Sequence, residues 1–342
     1  MKKILLLITI AVITLGSCST EFNPNDEWKE TMVVYGLLDQ DSDTTWIRVQ
    51  KCFLGEGNSF DYAHIMDSSV YAPDELVVTI TEWYAEERNG VLTKTALTGQ
   101  VFEFAYKMLT DKPEGEFFAP NQPVYYCRTK GKLYADRIYV LEVKNTKSGN
   151  YVTSETSLIG DGIQVKQPLN TFQFKDSRNR SCIVKWTVDY DKRARVFQPV
   201  VRFFYLERNK ADENETPVLK YVDIEGNVYR NMGNTNLMQG DFSKAEFGAL
   251  LKEKIGVDES KQRIMVDSVY IFIYAADENM SNYMSVSTPP TGIVQERPIF
   301  SNIDGGLGIF ASRRTKIKEK KSAPTSPTND YRKFIESLGL GF

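Results

Sequence analysis

From Met32 onward the chain falls into short runs of β-branched, aliphatic and aromatic residues separated by polar turns. The clearest are "TMVVYGLL", "TTWIRVQKCF", "ELVVTITEWY", "RIYVLEVKN" and "YVTSETSLI". Val77, Thr79 and Thr81 alternate with Val78, Ile80 and Glu82, the period-two pattern that sends successive side chains to opposite faces of a strand. Runs of this length and spacing predict a β-sandwich. The pattern breaks at residues 159–170, "IGDGIQVKQPLN", where Gly160, Gly162 and Pro168 interrupt it, and then resumes with "NTFQF", "CIVKWTVDY" and "VFQPVVRFFYLER". A strand carrying Trp186 and followed by a long aromatic-rich strand is the layout of a second sandwich. The expected fold class is therefore mainly β, with two immunoglobulin- or fibronectin-III-like sandwiches over residues 31–162 and 163–312.

Two helices interrupt this grammar. Ser243 and Glu246 form an S-x-x-E capping box, Phe242 and Phe247 occupy the positions of a hydrophobic staple, and Gly256 stands just past the end. Phe247, Leu250, Leu251 and Ile255 share one face, which predicts an inserted amphipathic helix over 244–255. The apolar run "RIMVDSVYIFIYAA" after it reads as a central strand. Asp304-Gly305 is a hairpin signal before a closing strand from Leu307 to Ala311, with Gly308 permitting close backbone approach. Residues 313–342 read as a basic linker, "RRTKIKEKK" and then "SAPTSPTN", followed by a short helix from Tyr331 to Leu338 ended by Gly339.

Ahead of the first strand the pattern is of another kind. Lys2 and Lys3 give a positive end, Ile4 to Thr14 are uncharged and mostly apolar, and Leu15-Gly16-Ser17 lead to Cys18. That is an export signal. Ile4 to Gly16 would reach only about 20 Å as a helix, short of the roughly 30 Å hydrocarbon core. Leu-Gly-Ser-Cys matches the bacterial lipobox, so residues 1–17 are expected to be removed and Cys18 to be the lipid-attachment residue. Two or more acyl chains on one residue anchor a protein stably to a membrane. Residues 18–30 contain Pro24 and little apolar character, and read as a tether.

Composition limits the chemistry. Seventeen of 342 residues precede Cys18, leaving 325, and dropping Lys2 and Lys3 takes the formal charge from −3 to −5. An acidic chain is not expected to bind nucleic acid. Cys52, Cys127 and Cys182 are too few and too scattered for a C-x-x-C metal site, and His64 is the sole histidine. An oxidising compartment leaves two readings open, a Cys52–Cys127 disulfide or three apolar thiols. Asp39, Asp41 and Asp43 alternate as the first ligands of a calcium loop do, but Thr44 stands where glycine is required and Gln50 where glutamate is. A polar hairpin turn explains them better, and neither metal nor cofactor is expected. The chain has no G-x-S-x-G, no H-E-x-x-H and no phosphate loop. Trp28, Trp46, Trp83, Tyr125 and Tyr126 are candidates for stacking on sugars or anchoring a partner, with core packing as the plainer role for each.

The lipobox, the early "MVVYGLLDQDSDTTWIRVQKCF" and the late "PPTGIVQERPIFSNIDGGLGIFASR" together resemble an uncharacterised family of Bacteroidetes outer-membrane lipoproteins. That family consists of one long domain of unknown function and is often encoded beside TonB-dependent receptors. The resemblance covers about residues 30–312. It rests on a first strand ending in Gly-Leu before an acidic turn, and on Asn302-Ile303, Gly305-Gly306 and Gly308-Ile309-Phe310 near the end. It implies a surface or periplasmic partner of a TonB-dependent transporter and assigns no catalytic or binding residue. Glu21 and the acids after it either route such a lipoprotein to the cell surface or are a plain solvated linker. Asp43-Thr44-Thr45 and Asp267-Ser268-Val269 fit the short O-glycosylation pattern of these bacteria. The lipoproteins that cap starch-type transporters are built from helix pairs, which this sequence lacks.

The expected function is thus a non-enzymatic, lipid-anchored outer-membrane protein that assists a TonB-dependent transporter. The alternatives are a stand-alone surface glycan binder or adhesin and, behind it, a glycan hydrolase using two carboxylates. Replacing Cys18 by alanine is expected to move the protein from the membrane to the soluble fraction and to abolish labelling by a radioactive fatty acid.

Overall fold

The computed structural model describes residues 30–52, 62–88, 91–111, 113–115, 118, 121–174, 181–188, 193–212, 214–231, 235–287, 299–327 and 329–342. The export signal, Cys18, Trp28 and most of the expected tether lie outside the described residues. The fold class is as expected, mainly β with two immunoglobulin-like sandwiches, the inserted helix and the short C-terminal helix, but a further helix over Glu278–Ser287 was not predicted.

The first sandwich begins with the hairpin β1 (Met32–Asp39) and β2 (Thr44–Lys51), closed over the acidic turn. After a single helical turn, α1 (Met66–Ser69), come the long hairpin of β3 (Leu76–Arg88) and β4 (Val91–Glu103), then β5 (Ala105–Leu109), β6 (Gln122–Arg128), β7 (Arg137–Asn145) and β8 (Tyr151–Ser157). Strands β4-β3-β7-β8 make one sheet, and β1-β2-β6-β5 belong to the other. Met32, Val34, Leu38 and Ile47 meet Val78, Ile80, Tyr139, Leu141 and Val143 in the core between them.

The second sandwich comprises β9 (Ile163–Gln167), β10 (Ser181–Val188), β11 (Val196–Asn209), β12 (Val218–Glu225), β13 (Tyr229–Arg230), β14 (Leu237–Ser243) and β15 (Lys261–Ala276). Strands β14-β10-β9 form the smaller sheet, packed on β11, β12 and β15 around Trp186, Phe197, Val201, Phe203, Val269 and Ile271. The helix α2 (Lys244–Ile255) has the predicted bounds. Ser243 Oγ accepts from Glu246 N at 3.1 Å, and Gly256 closes the end at φ 71°. Phe242 and Phe247 both close on Phe172, at 6.3 and 5.7 Å between ring centroids. The C-terminal helix α4 (Asp330–Glu336) ends short of the predicted Leu338 and seals this core with Tyr331 and Ile335.

The predicted division of the chain fails at one element. Strand β16 (Leu307–Ser322) is 16 residues long and runs through the stretch read as a basic linker. Its first half pairs in parallel with β1, from Val33↔Leu307 to Asp39↔Arg313. Its second half pairs antiparallel with β15, from Ala276↔Arg313 to Ser268↔Ser322. The β12-β11-β15-β16-β1-β2-β6-β5 strands therefore form one nine-stranded sheet, counting β13 at its side, common to both sandwiches. Ile303 and Phe310 lie in the first core, so residues 303–312 complete the N-terminal sandwich and not the C-terminal one. The expected final hairpin is replaced by a return to β1. The charged run "RRTKIKEKK" is held as a strand because β15 offers backbone partners along it, with β1 joining only at Arg313, and pairing outweighs a pattern that alone reads as solvated.

Phase is kept across the junction. Phe310, Ser312 and Arg314 alternate onto one face of β16, and Arg314 pairs with Ala275, which belongs to the second core. A bulge between Ile273 and Ala275 then absorbs the extra residue of β16. Both smaller sheets consequently stack on the same side of the nine-stranded sheet.

Where β16 meets β1 the approach is close. Gly308 sits at φ 113°, and a Cβ there would lie 2.0 Å from the Val34 carbonyl oxygen. A side chain would have to displace β1 itself. Gly308→Ala is expected to lower stability by at least about 3 kcal/mol in urea denaturation, with the loss of protection from hydrogen exchange centred on β1 and β16.

Candidate functional sites

A cavity of about 590 Å³ opens between the two sandwiches. Glu155 and Thr156 of β8 line one side, Arg193 and Arg195 at the entry to β11 another, and the helix α3 (Glu278–Ser287) brings Asn279 and Asn282. Val91 and Leu92 at the tip of the β3–β4 hairpin and Ile138 of β7 give it an apolar wall. Its geometry is fixed by Asp277, which is buried and ties three segments together. One carboxylate oxygen accepts from Met280 N at 2.9 Å and caps α3. The other accepts from Ser312 N of β16 at 2.8 Å and from Thr156 Oγ1 of β8 at 3.0 Å. Burial pushes the Asp277 carboxyl above the ordinary aspartate value, with these hydrogen bonds working in the opposite direction. Arg193 Nη1 donates to the Ala135 carbonyl at 2.5 Å. At the rim Lys94 pairs with Glu155 at 2.5 Å, its ammonium 5.6 Å from the Trp83 ring centroid.

The second candidate is the outward face of the nine-stranded sheet. Val269, Ile271 and Ile273 point into the core, so Tyr270, Phe272 and Tyr274 of β15 point out. Phe204 of β11 packs edge-on to Tyr270, and Phe272 lies parallel to Tyr274 at 6.1 Å. Tyr221 of β12 is 54% exposed. Arg202 lies between these rings, 4.1 Å from the Tyr221 centroid and 4.9 Å from that of Phe272, and is held flat by two hydrogen bonds to Asp223 at 2.7 and 2.8 Å. Further along the same face Trp46, 41% exposed, pairs with Tyr126 at 5.6 Å under the ammonium of Lys107. Between the two patches α3 packs on β16, where Ile309 and Ala311 are buried.

The residues singled out from sequence separate clearly. Trp46 and Tyr126 come together at the surface, whereas Tyr125 is buried against Tyr106 and Trp83 is half-buried. Cys52 and Cys127 are half-buried and Cys182 is buried, none of them in a disulfide, so the disulfide alternative does not hold. His64 is exposed at the end of a short turn. The calcium alternative fails on the partners of its carboxylates. Asp39 accepts from Thr315 Oγ1 at 2.8 Å and Arg313 Nε at 3.3 Å, Asp41 pairs with Arg314 at 3.5 Å, and Asp43 with Lys130 at 2.7 Å. Among the described residues there is no cluster of metal-ligating side chains. Ser268 is buried in β15 and Thr44 is half-buried in β2, which removes the first and screens the second of the glycosylation matches.

Sequence reasoning missed the aromatic face and the cleft. A signal for the first was present in "VYIFIYAA", where every second position is aromatic on a strand whose other face is already apolar. The cleft had none, because its lining comes from segments far apart in the chain.

No family model matches the chain, and no curated protein matches it. Solved structures of the CBD12 unit of CALX1.2 and of the calcium-binding domain CBD12 of CALX1.1 are 9% and 12% identical. Each covers 85% of this chain and 98% or 99% of its own length, at TM-scores of 0.16 and 0.18.

Asp277→Ala leaves the buried Ser312 N–H without its side-chain acceptor and uncaps α3, and is expected to cost about 2–4 kcal/mol in urea denaturation. Because the native carboxyl titrates above its unfolded value, the native state holds this proton more tightly. The contribution of Asp277 is then greatest at low pH and shrinks as pH rises through the native value. Asp277→Asn should flatten that part of the stability profile.

Proposed function

We propose that the chain is a non-enzymatic, lipid-anchored outer-membrane protein, held through an acylated Cys18, that serves as an accessory of a TonB-dependent transporter. The observation that carries this reading is the outward face of the nine-stranded sheet. Tyrosine, tryptophan and arginine are the side chains that dominate protein interfaces, and here Tyr221, Trp46 and Arg202 stand on one rigid surface. The rings are already packed against one another, so little side-chain freedom is left to lose on association. Of the three carboxylates that line the cleft, Glu155, Asp277 and Glu278, two are already engaged, whereas glycoside hydrolysis needs two acting as a pair. Asp277 is engaged with Ser312, Met280 and Thr156, and Glu155 with Lys94.

A second reading, a stand-alone surface glycan binder or adhesin, is favoured by the same exposed aromatic residues and, for a glycan, by the cleft between the sandwiches.

The deciding experiment is capture of the tagged, lipidated protein from detergent-solubilised outer membranes, with Cys18→Ala as the control. The transporter reading expects a TonB-dependent barrel to be recovered, and recovery to drop when Tyr221→Ser and Trp46→Ala are combined. A protein that is membrane-anchored but comes down alone would overturn it.

A further inference from the structure

We infer that the cleft between the two sandwiches is a binding site for a neutral carbohydrate. The inference deepens the glycan-binding reading and is independent of the transporter one, since it uses none of the aromatic face.

The ligand class follows from the charges and shapes of the lining groups. Arg193 and Arg195 face Glu155, Asp277 and Glu278 across the same space. Opposite charges interleaved at this density offset one another, so a polyanion or polycation would gain little net Coulomb attraction on entering. Asp277 is already engaged, but the guanidiniums, the Glu155 and Glu278 carboxylates and the Asn279 and Asn282 amides still have polar atoms to offer a ligand. A guanidinium presents several donors in a fixed plane, a carboxylate two acceptors, and a side-chain amide both kinds. Planar groups of these types match neighbouring hydroxyls on a sugar ring, each of which donates and accepts. The apolar strip of Val91, Leu92 and Ile138 is suited to the C–H face of such a ring.

Size and rigidity agree with this. A volume of about 590 Å³ lies within the few-hundred-Å³ range of small-molecule sites. Asp277 joins β8, β16 and the start of α3, so Thr156, Asn279 and Asn282 are held in place before any ligand arrives. Such preorganisation reduces the ordering that binding would otherwise require. The rim is set by the Lys94–Glu155 pair.

The test is saturation-transfer NMR on the full lipidated chain in detergent micelles. The probes are maltose, cellobiose, lactose and diacetylchitobiose, run beside a trigalacturonate and an alanine dipeptide. Transfer to at least one of the four neutral disaccharides is expected. Loss of one charged hydrogen bond should weaken that binding about tenfold, so Arg195→Gln is expected to show at least that loss. Asn282→Ala, at an exposed position that should leave folding intact, is expected to weaken it in the same direction. Trp46→Ala on the outward face should leave it unchanged. The inference is overturned if none of the neutral disaccharides binds at millimolar concentration, or if only the trigalacturonate or the dipeptide does. It is equally overturned if binding is insensitive to both cleft variants or is lost with Trp46→Ala. Barrel recovery in the capture experiment is unaffected by any of these outcomes.

Discussion

The whole molecule depends on the two-sided pairing of β16. Its first half supplies the strand that β1 lacks on one edge, and its second half supplies the one that β15 lacks. Between them, at Arg313, the strand is paired on both sides at once. Phe310 fills the first core and Ala323, just beyond the strand, the second. Neither sandwich is complete until nearly the last residues of the chain have been placed. Because β1 and β16 are about 270 positions apart, the closing contacts carry a high loop-closure cost, and the two sandwiches are expected to stabilise together rather than one after the other.

The junction is reinforced by charge. Asp39, which is 2% exposed, receives Arg313 and Thr315, and Asp41 receives Arg314, whose other partner is Asp161 after β8. Only Arg314–Asp41 is buried on both sides, and there the removal of charges from water offsets much of the attraction, while the exposed Arg313 and Asp161 ends are screened by solvent. The clearest effect of these pairs is on register. A slip of β16 by one residue would turn both arginines away from their acids and drive Phe310 out of the core. The acidic turn that resembles a metal loop is thus a fastening for the last strand.

A shared sheet also fixes how the two sandwiches face each other. In most two-domain chains an interface of modest size permits relative motion, but here backbone hydrogen bonds run unbroken from one unit to the other. Consequently the cleft between them is a permanent feature of the surface, and the opposite side of the sheet carries two aromatic patches with α3 packed on β16 between them. Aromatic rings in those patches remain partly exposed because the second layers both stack on the other side. An exposed cluster of this kind costs solubility unless it is covered in use, which is why its presence weighs on the functional reading.

The sequence by itself determined most of the local structure. Short β-branched and aromatic runs, some of them alternating, were enough for β1, β2, β3, β7, β8, β10, β11 and β15, since each has at least one face in a core. The helix α2 was legible to the residue because capping box, staple and terminal glycine act within a few positions of one another. Strands β4 and β12 were not legible, because most of their side chains are exposed on both faces and carry no alternation. What only the tertiary structure decided is pairing. "RRTKIKEKK" reads as a solvated tail until β15 is in place to receive its backbone, and Tyr270, Phe272 and Tyr274 read as core until the sheet shows which face is covered. Alternation along a strand records that it has two sides, but the identity of its neighbours, and so the cleft and the aromatic face, is set by contacts between residues that no local pattern connects.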